Sequence, residues 1–87
     1  MIDYKLSATA KRLKRGIYKH YKGQRVIVYG VANQSETLEE VVVYRHETDD
    51  PNHFWVRPLS MFLETVTVHN QTISRFTFLA ENDKEIV

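Results

Sequence analysis

From Gly16 onward the chain alternates short runs rich in Val, Ile, Thr and aromatic residues with polar, turn-forming residues. That grammar predicts six strands, over Ile17–Tyr21, Arg25–Val31, Glu40–His46, Phe54–Arg57, Glu64–His69 and Arg75–Leu79. Turns are expected at Gly23, across Asn33–Thr37, across Asp49–His53 with Pro51 inside it, and across Asn70–Ser74. Pro58 must end its strand, because it has no N–H to give to a ladder. Val66, Val68, Phe76 and Phe78 alternate with Thr65, Thr67, Arg75 and Thr77, which predicts a last hairpin with one apolar face turned to the core. Val26–Val31 is apolar on both faces, so it reads as a central strand covered on its outer side by the N-terminal helix.

That helix is expected over Ser7–Arg15. Ser7 serves as N-cap, Ala8 and Ala10 favour the helix, and Gly16 stops it. Leu6, Ala10, Leu13 and Ile17 form a thin apolar stripe at helical spacing, so the helix should lean on the domain. Leu59-Ser60-Met61-Phe62 reads as a single helical turn that closes one end of the core with Leu59 and Phe62. Together the elements predict a mainly β fold, a small SH3-like β-barrel of five to six short strands with a short N-terminal helix. An open sheet with the helix across one face is the competing architecture. The expected organisation is a basic arm or short helix over residues 1–15, one β domain over 16–80 and a tail over 81–87.

The blocks Gly16-Ile17-Tyr18-Lys19-His20-Tyr21-Lys22-Gly23, Ser35-Glu36-Thr37-Leu38-Glu39, Val42-Val43-Tyr44, Trp55-Val56-Arg57-Pro58-Leu59-Ser60-Met61-Phe62 and Arg75-Phe76 stand in this order along the chain. The set resembles a bacterial family, domain of unknown function 1653. The resemblance runs from Gly16 to Phe78 and implies a compact domain, but no reaction, cofactor or catalytic residue. Val26 and the segment His46–His53 depart from the family's pattern, and residues 1–15 precede it.

At 87 residues, 43% of them hydrophobic, the chain has material for one core. It contains no Cys, so disulfides, thiolate nucleophiles and Cys-based zinc sites are excluded. No apolar run approaches the length of a membrane helix, and the basic start lacks the apolar stretch of a secretory signal; a cytoplasmic location is expected. The net charge of +1 conceals an asymmetry: residues 1–25 carry eight bases against Asp3, while the remainder carries four bases against ten acids. Such a basic segment either docks on its own acidic half, stays solvated, or serves as an electrostatic footprint for phosphates.

Little catalytic equipment is visible. His20, His46, His53 and His69 lack the spacing of zinc ligands on a helix. The loop with His46, Glu47, Asp49, Asp50 and His53 holds ligand types, but its polarity is ordinary for a loop, so neither metal nor cofactor is expected. No nucleophile elbow and no phosphate-cradling glycine loop occur. His20 shares a strand face with Tyr18 and Lys22; it is either a hydrogen-bonded structural histidine or a site residue whose charged form the lysine disfavours.

Trp55 and Arg57 also share a face. Arg57 either pairs with a carboxylate such as Glu39, or clamps an anion beside an aromatic wall of Trp55, Tyr18 and Tyr44. The leading expectation is a non-enzymatic binding module, with a groove near Tyr18, His20, Tyr44, Trp55 and Arg57 that takes a peptide or small polar ligand. The alternative is a nucleic-acid-binding domain using Lys11, Arg12, Lys14, Arg15, Lys19, Lys22 and Arg25. A small hydrolase or metal enzyme would need His20 to meet Glu36 or Glu39. An exposed strand allows either a monomer or a homodimer.

Overall fold

The computed structural model describes residues 4–81. Five strands, β1 (Gly16–His20), β2 (Arg25–Asn33), β3 (Glu40–His46), β4 (Trp55–Pro58) and β7 (Phe76–Ala80), form an antiparallel sheet in the order β4-β3-β2-β1-β7. Between β4 and β7 the chain makes a helical turn, α2 (Leu59–Phe62), and a separate hairpin of β5 (Thr65–Val68) and β6 (Gln71–Ser74). A five-residue helix, α1 (Ala8–Arg12), precedes β1.

The sheet is open, which corrects the expectation of an SH3-like barrel. Among the described residues no pairing joins the edge strands β4 and β7. The reason lies in residues 69–75, of which the sequence pattern represents Asn70–Ser74 as a turn. His69 and Asn70 both take positive φ, 51° and 65°, and Val68 stands opposite Gln71. That is the geometry of a two-residue hairpin of the mirror-image turn type, which matches strand twist. Val66 and Val68 therefore pair with Ile73 and Gln71 of β6 and not with β7. The chain then bends at Arg75, whose N–H donates to the Glu64 carbonyl at 3.0 Å and whose carbonyl accepts the Tyr21 N–H at 2.9 Å. Beyond the bend, Phe76 and Phe78 align opposite His20 and Tyr18 of β1.

Alternation along the strands puts Tyr18, Val26, Val28, Val42, Tyr44 and Phe76 in one buried cluster, completed by Leu59 and Phe62 of α2 and Ala10 of α1. Phe62 is 1% exposed; its ring stacks on Phe76 at 4.2 Å, and Tyr18 meets it edge-on at 5.4 Å. Pro58 ends β4 and turns the chain so that Leu59 and Phe62 drop into this face. Since Ala10 belongs to the same cluster, α1 packs on the core face of the sheet and not on the outer face of β2. On that outer face Ile27 lies between Ile17 and Arg45. Arg45 is buried, with its Nε donating to the Tyr29 hydroxyl at 3.2 Å and its Nη1 donating to the carbonyls of His46, Glu47 and Asp49.

α1 is shorter than expected because Leu13 already has an extended ψ of 121°. That path brings the Lys14 carbonyl to the Tyr18 hydroxyl, which donates to it at 2.7 Å. The cap is as expected: Ser7 Oγ accepts the Ala10 N–H at 3.1 Å. Glu40 anchors the cap from β3, accepting from both the N–H and the hydroxyl of Ser7 at 2.7 Å and from the Tyr4 hydroxyl at 3.1 Å. At the start of β1, Gly16 has φ of 141°, and a Cβ there would run into the Ala80 carbonyl oxygen. Only glycine lets β1 and β7 approach this closely. Of the tail expected over 81–87, only Glu81 is among the described residues, and the arm is described from Tyr4.

Replacing Phe62 by Ala removes the ring that the whole cluster surrounds. The expected loss is about 3–5 kcal/mol of unfolding free energy, read as a lower urea midpoint. A loss below about 1 kcal/mol would mean that the cluster closes without it.

Candidate functional site

The turn end of β1, the last residue of β3, the start of β4 and the first residue of β7 converge at one end of the core face. Tyr44 stands opposite Trp55, Val42 opposite Arg57 and His20 opposite Phe76. Their rings form a continuous path: His20 to Phe76 at 5.0 Å, Phe76 to Tyr44 at 6.2 Å, Tyr44 to His46 at 5.9 Å and His46 to Trp55 at 5.9 Å. His53 then stacks on Trp55 at 4.7 Å. The path starts in the core and ends in solvent, because Tyr44 is 5% exposed whereas Trp55 is 43% exposed. Asp49 orients the indole by accepting its N–H at 3.0 Å. A cleft of about 450 Å³ opens beside Trp55, lined by Gln24, Arg25, His46, Glu47, Thr48 and Asp49.

Of the five residues expected to line a groove, the structure brings four together. His20, Tyr44, Trp55 and Arg57 surround Phe76 and His46, with Tyr44 as the buried floor. Tyr18 is part of the core, edge-on to Phe62 and Phe78, and its ring path to the others runs through Phe62. Arg57 lies over the Phe76 ring, 5.8 Å from guanidinium carbon to centroid. Its Nε is buried without a hydrogen-bond partner. The pairing with Glu39 is not made: Arg57 stands opposite Val42, while Glu39 lies in the turn before β3. Glu36 occupies the same turn, at the far end of β2 from His20, and its carboxylate accepts from the Ser35 hydroxyl at 2.9 Å. The first two turns therefore do not converge, and no His20 carboxylate pair forms among the described residues. Nor does any group of three His, Asp or Glu among them stand ready to hold a metal.

The sequence pattern puts Phe76 on the core face and Arg75 on the polar face of the last hairpin, but gives neither a place in the groove, although the pair closes the run of motifs. Arg75 donates to Glu64 through Nη2 at 3.0 Å, and its Nε is also buried without a partner. The seven bases expected to meet phosphates are all exposed but scattered. Lys11 and Arg12 ride on α1, Lys14 lies 5.0 Å over the Phe78 ring, and Arg15 passes near Gly30. Lys19 stands opposite Arg25, Lys22 lies over Tyr21, and Arg25 pairs with Glu47 at 3.4 Å.

His20 sits in cationic surroundings. Burial first, then the charges of Arg75, Arg57, Lys22 and His46, hold its imidazole below the usual histidine value of 6.5. Its Nδ1 accepts the Lys22 N–H at 3.2 Å, which suits the neutral ring. The unfolded chain therefore binds this proton more readily than the folded one, and the stability tied to neutral His20 is complete above about pH 6.5. It declines as pH falls through that value toward the lower folded one. Thermal melts from about pH 7.5 down to about pH 5 should show His20→Gln losing less stability than the parent chain over this window. Equal losses would show that His20 titrates as an ordinary solvated imidazole.

Comparison with known proteins matches the same stretch. A crystal structure of a protein from Bordetella bronchiseptica belonging to DUF1653 superposes with a TM-score of 0.75 at 30% identity, covering 84% of this chain and 95% of that one. No curated protein matches. The family model described as protein of unknown function (DUF1653) matches residues 16–78, from the glycine that admits β7 through the site residues to Phe78 on β7, and the chain belongs to that family.

Proposed function

We propose that this domain is a non-enzymatic binding module whose groove, at the turn end of the core face, takes a peptide or another small polar ligand. The observation that carries the reading is the ring path from buried Tyr44 to exposed Trp55, flanked by an Arg57 that no side chain in the described residues satisfies. Aromatic surface beside a few polar groups is the usual make-up of a ligand site. A peptide fits because β4 is a sheet edge: among the described residues it pairs with β3 alone, and an edge strand is where another extended strand can add. The expected test is a peptide screen read by Trp55 fluorescence. Trp55→Ala should abolish binding while changing stability by no more than about 1 kcal/mol, since the ring is exposed. Ligands whose affinity survives Trp55→Ala would place binding elsewhere.

A second reading, nucleic-acid binding, is supported by how α1 is anchored. It docks through Ser7 on Glu40 and through Ala10 in the core, so Lys11, Arg12, Lys14 and Arg15 are left exposed and are not drawn onto the acidic half of the chain. Changing these four to Gln should flatten the salt dependence of duplex affinity by up to about 0.9 in log–log slope per lost phosphate contact. An unchanged slope would remove the arm from any such interface.

A further inference from the structure

We infer that the groove holds a carboxylate, gripped by Arg57 with Arg75 and His20 beside it, so that its ligand is an acidic small molecule or a peptide presenting a carboxylate. This rests on the groove reading above and names the chemistry of its ligand.

Buried guanidinium nitrogens are normally satisfied, since an unpartnered buried donor costs the full desolvation of that group. Arg45 on β3 illustrates the rule, with its donors directed at the Tyr29 hydroxyl and three carbonyls. Arg57, one strand away, has only the face of Phe76, and its Nε is buried with no acceptor. Arg75 has one acceptor, Glu64 Oε1, on Nη2, and its Nε is likewise buried without one. These two are the only buried side-chain polar atoms without a partner among the described residues. Both belong to side chains whose charges reach the same imidazole, His20. His20 in turn contacts Phe76, the ring beneath Arg57. The orphaned donor of Arg57 lies on the side chain over the Phe76 ring, and that of Arg75 belongs to the residue before Phe76 in the chain, so both donors call for an acceptor from outside the described residues.

Charge counting selects the acceptor. Arg57 and Arg75 bring two positive charges and Glu64 returns one negative, while the ring of His20 takes the Lys22 N–H on Nδ1 and so carries its hydrogen on Nε2 when neutral. Among these four groups the surplus is one positive charge, and the planar Nε–Nη edge of an arginine matches the two oxygens of a carboxylate. A phosphate monoester would bring up to two negative charges, and the lysines left to offset the second, Lys19 and Lys22, are exposed at the rim.

The test uses the full chain labelled with 15N and follows the Nε–Hε signals of Arg57 and Arg75. The probes are N-acetylglycine, its neutral amide, and inorganic phosphate, each at constant ionic strength up to about 50 mM, a range that reads weak fragment affinities. N-acetylglycine should shift both signals saturably, and the amide should not. Arg57→Gln should weaken this binding roughly tenfold or more, and Arg57→Lys should fail to restore it because the charge returns without the fork. Dispersed amide spectra of the two variants confirm that they are folded. Equal shifts from acid and amide, linear shifts spread over all arginines, or retained affinity in Arg57→Gln would overturn the proposal. Saturation by phosphate alone would also overturn it, in favour of a phosphorylated ligand. A neutral peptide that perturbs Trp55 while the arginine signals stay still would sink the carboxylate and leave the groove standing.

Discussion

The stack of Phe62 on Phe76 is the contact on which the rest of the fold depends. An open sheet has two edges and one apolar face to cover, and here the edges β4 and β7 do not meet. Phe62 ends α2, the helical turn that follows directly on β4, and Phe76 opens β7, so the 4.2 Å stack ties the two edges together through side chains where a closed barrel would use backbone hydrogen bonds. Tyr18 and Tyr44 then close on Phe62 from β1 and β3. Because a stacked ring excludes water from the sheet face as far as it reaches, its position also decides where the core ends and the groove begins.

This explains why so much of the fold was legible in the sequence while the site was only half legible. β1 to β4, α2 and the capped start of α1 follow from local signals: β-branched runs, Pro58, Ser7 and the turn residues. Two features had no local signal. The hairpin at His69-Asn70 uses two left-handed residues without glycine, so residues 71–74 looked like a turn, and a strand and a change of partner went unseen. Likewise Tyr44 and Trp55 are cross-strand neighbours on one face, equal in any period-two pattern, yet one is the floor and the other exposed. Reach of a third element, Phe62, separates them, and that is a tertiary fact.

The same logic distinguishes the arginines. Arg45 lies on the outer face and is wrapped by the carbonyls of the loop after β3, so it acts as a staple for that loop. Arg75 marks the bend between the hairpin and the sheet, where its backbone bonds both neighbours and its side chain returns to Glu64. Arg57 has no comparable structural task, although it sits among the most closely packed rings of the molecule. Spacing in the sequence could not tell these three roles apart, because each depends on which acceptors the completed fold brings near.

The two candidate surfaces are also separated by the fold. The arm is fastened to Glu40, the first residue of β3, and the groove begins at His46, its last. At about 3.4 Å per residue, β3 sets these points some 20 Å apart. The exposed bases of α1 therefore lie nearer the anchored end, while Lys19, Lys22 and Arg25 lie at the turn that borders the groove. Arg25 is already paired with Glu47, which lines the cleft beside Trp55. A long polyanion would have to follow the length of the sheet to collect both groups of bases, whereas a short ligand in the groove meets only the second group and the unsatisfied arginines. The charge asymmetry so plain along the sequence is thus divided in space, and the part of it nearest the aromatic path is the part that bears on recognition.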